Sequence, residues 1–213
     1  TTPLAIDMYL PAMPQLADSL HSNSVLVQQS LSIFLAFYSL GMLLFGPLAD
    51  AIGRRPLALW GLTGFVLASL LLSQSDSIEA FLSWRALQAL SGSAATVVVP
   101  GIIRALYQEH TAKGMSYVSM MMMLAPLLAP AIGSLVLFWG SWHWIFIVLA
   151  AYALLILAFS LRHLPEINQK AERQKLNFFG SYQVVFANKT ARPLIAISMF
   201  SSFSFFCFLT AVP

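Results

Sequence analysis

Apolar residues in this chain come in long runs, and polar residues gather in the short breaks between them. A bilayer span needs about 20 mostly apolar residues, and the breaks cut the chain at about that spacing. Thr1–Met13 is too short for a full span and reads as the far end of a first one. Pro11 and Pro14 lie near its exit, where a broken helix is tolerated. Gln15–Asn23 is polar and reads as the first external loop. Span two is placed at Ser24–Leu48, span three at Leu57–Ser73 with the polar turn Gln74–Ser77 after it, and span four at Ile78–Leu106. From Gly114 to Leu161 there is no Asp, Glu, Lys or Arg. That stretch is too long for one helix and right for two, split at Trp139-Gly140-Ser141-Trp142, which gives spans five and six. A mixed-charge, amphiphilic loop, Arg162–Arg192, follows, and span seven begins near Pro193. The expected organisation is a six-span bundle at 1–162 with an incomplete first span, a central connector at 163–192, and the start of span seven at 193–213.

Composition supports the membrane assignment. The chain is 59% hydrophobic and 9% charged, with a mean hydropathy of +0.79, whereas soluble domains carry about 25% charged residues. It cannot cover a water-facing surface, so the class is an all-α integral membrane protein. The net charge of +3 does not point to nucleic acid, because of where the basic residues fall. Arg54, Arg55, Arg104, Lys113, Arg162, Lys170, Arg173, Lys175, Lys189 and Arg192 all map to one side of the spans. The opposite side carries Asp18, Asp76 and Glu79. By the positive-inside rule the loops at 49–56, 107–113 and 163–192 are expected to be cytoplasmic.

Cys207 is the single cysteine, and the four histidines are scattered without HExxH-type spacing, so no metal or cofactor is expected. Thr1 is not an initiator, and no basic stretch precedes an apolar one as in a signal peptide. Pro213 closes an unfinished hydrophobic segment. Six spans, a long connector and a further span read as half of a twelve-span layout within a longer protein, whose missing partner is a C-terminal six-span bundle.

Two charged residues fall inside spans, where a charge at bilayer centre costs about 2.5–3.5 kcal/mol on insertion scales and usually faces a cavity or a partner. At about 1.5 Å per helical residue, Asp7 and Arg85 lie at similar depths. One reading makes Asp7 a proton-accepting group whose charge is coupled to substrate. The other makes the two a structural ion pair. Burial favours the neutral carboxyl and a nearby cation the ionised one, so one site can be poised to titrate. Arg85, Gln88, Gly92 and Thr96 form one polar or small stripe on span four, and Gln28, Ser32, Ser39 and Gly46 another on span two. Such stripes line either a cavity or a helix–helix seam; the seam is favoured for span two.

In span five, Ala125, Ala129 and Gly133 repeat at intervals of four and allow close backbone approach. Pro126 and Pro130 each remove a helical hydrogen bond. Pro126, Pro130 and Gly133 are therefore the candidate pivot for two rocking halves, with a packing seam as the alternative. Met120–Met123 is either adaptable lining for apolar ligands or lipid-facing filler, the latter favoured. Asp50, Arg54, Arg55 and Arg104 gather at the basic side. Asp50, Arg54 and Arg104 are the candidate latch of a two-state transporter, because the topology rule alone does not need the aspartate. Tyr38, Gln88 and Met122 join Asp7 as candidate substrate contacts.

Several of these stretches resemble the major facilitator superfamily, and within it the Bcr/CflA-type drug:proton antiporters. Gly46-Pro47-Leu48-Ala49-Asp50-Ala51-Ile52-Gly53-Arg54-Arg55-Pro56 resembles the superfamily's signature between spans two and three. Asp7-Met8-Tyr9-Leu10-Pro11-Ala12-Met13-Pro14 resembles the first-span signature of drug antiporters, Arg85-Ala86-Leu87-Gln88 the fourth-span signature, and Leu124–Gly133 the fifth-span antiporter motif. Ser141-Trp142-His143-Trp144-Ile145-Phe146 is also similar to Bcr-type sequences. The sequence departs from the pattern at Ala51, Ala89, Ser91, Ala105 and Ser134.

The resemblance implies the N-terminal half of a transporter in a bacterial inner membrane that exports varied hydrophobic or cationic drugs in exchange for protons. Asp7 would be the protonation and substrate-coupling site and Arg85 its partner. A proton-linked importer of a small metabolite is the nearest alternative. A membrane-embedded enzyme is the other class; it would need a nucleophile–base pair or clustered ligands at one depth, and none is apparent, so no enzyme is expected.

Overall fold

A computed structural model describes residues 2–164, 182–183, 187–189 and 191–211 of the chain, with side chains in the last range described for 191–201 and 204. The described residues divide between two compact units, Thr1–Arg173 and Gln174–Pro213. The first is built of helices α1 (Thr2–Asp7), α2 (Met13–Ser19), α3 (Ser24–Ile52), α4 (Arg54–Leu72), α5 (Ile78–Val97), α6 (Val99–Tyr107), α7 (Thr111–Trp139) and α8 (Trp142–His163). Short 3-10 turns at Leu10–Ala12 and Gln108–His110 join α1 to α2 and α6 to α7. In the second unit α9 spans Ala191–Ala211. Most of the connector expected at 163–192, including Lys170, Arg173 and Lys175, lies outside the described residues, as does Pro213.

Local chemistry sets the helix ends. The Asn23 side chain accepts from the Val25 amide at 2.6 Å and starts α3. Ser77 caps α5 by accepting from the Ala80 amide at 3.3 Å, and Glu79 in the first turn suits the helix dipole. Gly53, at φ 99°, is the whole break between α3 and α4, a backbone state that L side chains avoid. The turn expected over 49–56 is therefore a single residue. The one expected over 107–113 is similarly confined to Gln108–His110.

Two further expectations change. The polar segment expected as an external loop is helical to Ser19, because Leu16 and Ala17 bury one face of α2 in the core. Span four is two helices, with the break at Val98 and Pro100 near the start of α6, where its missing N–H is tolerated.

Among the described residues, four stretches are long and apolar enough to cross a membrane: Ser24–Ile52, Arg54–Leu72, Ile78–Trp139 and Trp142–His163. The third contains α5, α6 and α7. Among the described residues no strand occurs. The main core joins Tyr9, Phe34, Phe65, Phe81, Trp142 and Phe146 from four helices and the turn after α1. A smaller cluster of Ala49, Leu57, Ala58, Ala94 and Val98 packs at the Arg54 end. At the α4–α5 crossing, a Cβ on Gly61 would lie 2.8 Å from the Ser91 carbonyl oxygen, so only glycine admits that approach. Outward faces are apolar: Met121 is 71% and Phe138 84% exposed, as suits contact with lipid or with further helices rather than water.

Candidate functional site

The segment expected as the end of the first span is broken just after Asp7, where α1 stops. Pro11 and Pro14 supply no N–H, and the chain tightens into a 3-10 turn in which Ala12 donates to the Tyr9 carbonyl at 2.8 Å. Ala5, Met8, Tyr9 and Ala12 face the core. Asp7, two positions from both Ala5 and Tyr9, points about 160° away from each at 100° per residue. Its side chain is partly exposed. It makes no ion pair or side-chain hydrogen bond among the described residues.

Arg85 is fully buried on the other side of this segment. Its Nη1 donates to the Ala5 carbonyl at 3.0 Å and to Gln88 Oε1 at 2.8 Å. The guanidinium carbon lies 3.8 Å from the Tyr9 ring centroid and 5.1, 5.4 and 5.9 Å from those of Phe34, Phe146 and Phe81. Nε and Nη2 make no hydrogen bond. Aromatic faces attract a desolvated cation by about 2 kcal/mol or more, which offsets part of the cost of burying it. The expected pairing of Asp7 with Arg85 is therefore not made: Arg85 bonds the Ala5 carbonyl two residues from Asp7, but Asp7 stands on the opposite face of that segment.

The network continues inward. Gln88 Nε2 donates to Ser69 Oγ at 2.8 Å, and Ser69 Oγ donates to the Phe65 carbonyl at 2.7 Å. Tyr9 Oη meets Ser30 Oγ at 3.1 Å, and Ser30 Oγ donates to the Val27 carbonyl at 2.6 Å. Thr2 Oγ1 meets Thr96 Oγ1 at 3.2 Å. The Arg85–Gln88–Gly92–Thr96 stripe is thus a seam against the first span. Gln88, fully buried with both ends of its amide engaged, lines no open surface, contrary to its nomination as a substrate contact. The stripe on span two forms no seam within this unit: Gln28, Ser32 and Ser39 are exposed, and Gly41 makes the close approach to Ser93.

Helix α7 carries Pro126 and Pro130 within its length. Ala129 and Gly133 are buried, and a Cβ on Gly133 would collide with the Met8 carbonyl oxygen. The small-residue face of α7 is therefore seated on the break beside Asp7. Met122 is exposed and Tyr38 partly buried, stacked on Phe34 with centroids 6.3 Å apart.

At the Arg54 end, Arg54 Nη1 donates to the Gly101 carbonyl at 3.0 Å, and its Nη2 lies 3.7 Å from Asp50 Oδ1. A Cβ on Gly101 would sit 2.5 Å from the Arg54 guanidinium carbon, so the arginine lies directly on the α6 backbone. Arg55 Nη2 donates to the Leu161 carbonyl at 3.1 Å, tying α4 to α8. Arg104 is exposed and joins neither Asp50 nor Arg54 in an ion pair or hydrogen bond. An apolar cleft of about 400 Å³ between α7 and α8, lined by Trp139, Trp144 and Val148 among others, holds none of the nominated residues.

Tyr9, Ser30, Ser69 and Gly101 were not nominated from the sequence. Tyr9 lies inside the first-span signature and Gly101 follows Pro100. Ser69 sits in an apolar run with no local signal.

The sequence profile of the Major Facilitator Superfamily matches residues 1–213. The chain belongs to this superfamily. It is a multi-pass membrane protein and an all-α chain of the kind that forms the N-terminal half of such transporters. It is 32% identical to a bicyclomycin resistance protein homolog of Haemophilus influenzae over 98% of this chain and 54% of that protein. It is 36% identical to a chloramphenicol resistance protein of Pseudomonas aeruginosa over 76% of this chain and 39% of that protein. It is also 36% identical to multidrug resistance protein MdtL of Shewanella oneidensis, over 79% and 43% respectively. The chain spans about half the length of the relatives it matches.

Proposed function

We propose that this chain forms one half of a secondary transporter that exports hydrophobic or cationic drugs across a bacterial inner membrane against inward proton flow. Its fold family supports transport, and the resistance proteins it resembles support drugs as cargo. The observation that carries proton coupling is the setting of Asp7: a partly exposed carboxyl on a broken membrane helix, without a cationic partner among the described residues. An acid placed so can take a proton or a cationic cargo in turn.

In this reading a C-terminal six-span bundle completes the cavity, and the two halves rock to give alternating access. Asp7, Tyr38 and Met122 contact cargo. Arg85 and Gln88 act one layer behind, holding the first span, and no enzymatic step is involved. The Arg54 end faces the cytoplasm, where Asp50 and Arg54 form the latch and Arg104 is free to meet the other half. Pro126, Pro130 and Gly133 let α7 flex against the break.

The test uses the complete protein in liposomes with an imposed pH gradient and a lipophilic cationic dye. Dye should move opposite to the proton flow and stop when a protonophore collapses the gradient. Dye movement indifferent to the gradient would overturn the proposal, and movement with the protons would turn it into an importer.

A further inference from the structure

The buried chain behind Asp7 has a direction. A serine hydroxyl carries one hydrogen, and that of Ser69 is donated to the Phe65 carbonyl. Towards Gln88 it can only accept, so Gln88 presents Nε2 to it. The amide's other end, Oε1, is thereby turned to Arg85, which needs an acceptor there. Arg85 in turn donates to the Ala5 carbonyl. Apart from that bond to α1, the donors run one way, from Arg85 through Gln88 and Ser69 to the backbone of α4. Ser69, Gln88 and Arg85 are all fully buried, so a missing partner leaves a desolvated polar group.

We propose that Ser69 is a positioning residue for the first-span break. Its hydroxyl bonds Gln88 and the Phe65 carbonyl, not Asp7. It anchors the Gln88 amide, and through it the hold of Arg85 on Ala5 and on the Tyr9 ring, the residues two positions to either side of Asp7. If Ser69 is lost, Gln88 keeps Oε1 on Arg85, which can only donate, but its Nε2 is left buried without an acceptor. The amide then loses the bond that seats it on α4, and the bond it makes to Arg85 is held less firmly. The consequence for transport rests on the drug:proton reading above; the mechanical role does not.

Threonine is the conservative replacement. Within the same helix, Thr63 Oγ1 donates to the Leu59 carbonyl at 2.9 Å, the same four-residue back-bond that Ser69 makes to Phe65. Ser69→Thr therefore keeps the hydroxyl oriented, and Ser69→Ala removes it.

The experiment uses the complete protein in lipid nanodiscs, comparing Ser69→Ala, Ser69→Thr and Asp7→Asn with the parent. Amide hydrogen exchange is followed over residues 8–13, and gradient-driven dye export is measured after reconstitution. Ser69→Ala should raise exchange there by about tenfold and lower export at equal membrane level, and Ser69→Thr should restore both. Unchanged exchange in Ser69→Ala would overturn the proposal. So would equal damage from alanine and threonine, which would indicate packing and not the hydrogen bond. If alanine fails to reach the membrane, Ser69→Cys, near in size but a weak acceptor, is scored in the same way. Asp7→Asn separates the two claims: if it exports normally, the coupling reading fails while exchange still decides the role of Ser69.

Discussion

The guanidinium of Arg85 stacks 3.8 Å from the centre of the Tyr9 ring, and no carboxylate neutralises it among the described residues. Two oxygens and four aromatic rings hold a buried cation at this point. Planarity matters, because a flat cation can lie on a ring while donating at its edge. Arg85→Lys keeps the charge and loses the shape. It is expected to lower stability by about 1–3 kcal/mol, seen as a clear fall in apparent Tm in detergent. An unchanged Tm would mean that charge alone suffices.

Gly133→Ala should disturb the same region from the opposite side. Its Cβ would run into the Met8 carbonyl, whose carbon atom is 3.0 Å from that position. Backbone cannot swing aside as a side chain can, so overpacking of about 1–3 kcal/mol is expected. Ser134→Ala, at the exposed neighbouring position, is the control and should leave Tm unchanged.

Much of the fold was legible because long apolar runs and their polar breaks obey the thickness of a bilayer. The starts of α3 and α5 and the α7–α8 turn fall where Asn23, Ser77 and the Trp139–Trp142 segment predict. The helix over Gln15–Ser19 was hidden because it is short and polar, and only Leu16 and Ala17 show which face it buries. The break at Val98 was hidden by apolar residues on both sides of it. That Arg85 meets the chain near Asp7 could be read from span lengths, but its partners could not. Helix phase puts Asp7 on the wrong side, and the actual acceptors are a backbone carbonyl and an amide. Ser69 gave no signal at all, since its role arises only when α4 and α5 pack together.

At the Arg54 end, the contact with Gly101 and the contact with Asp50 should behave differently. Gly101→Ala would push a Cβ to within 2.5 Å of the guanidinium, so Arg54 must leave the Gly101 carbonyl. Gly101→Ala and Arg54→Gln should therefore be non-additive, with a coupling of about 0.5–3 kcal/mol in a double-mutant cycle on thermal stability. Additivity would show that the bond contributes nothing.

Asp50→Asn should barely change stability. Its side chain is 69% exposed and lies 3.7 Å from Arg54 one helical turn away, a geometry worth about 0–1 kcal/mol. If Asp50 is part of a latch, the variant should instead alter export by the complete protein at unchanged Tm. Wild-type export by Asp50→Asn would remove it from that role.

The central claim is that a carboxyl on the broken first span exchanges a proton for cargo. The most direct measurement is gradient-driven dye export by the complete protein carrying Asp7→Asn, reconstituted in liposomes beside the parent at equal protein density. The amide has nearly the shape of the carboxyl and cannot carry the charge. The account predicts that the variant inserts and folds normally and that its proton-driven export is lost. Export by the variant at the parent's rate would contradict it.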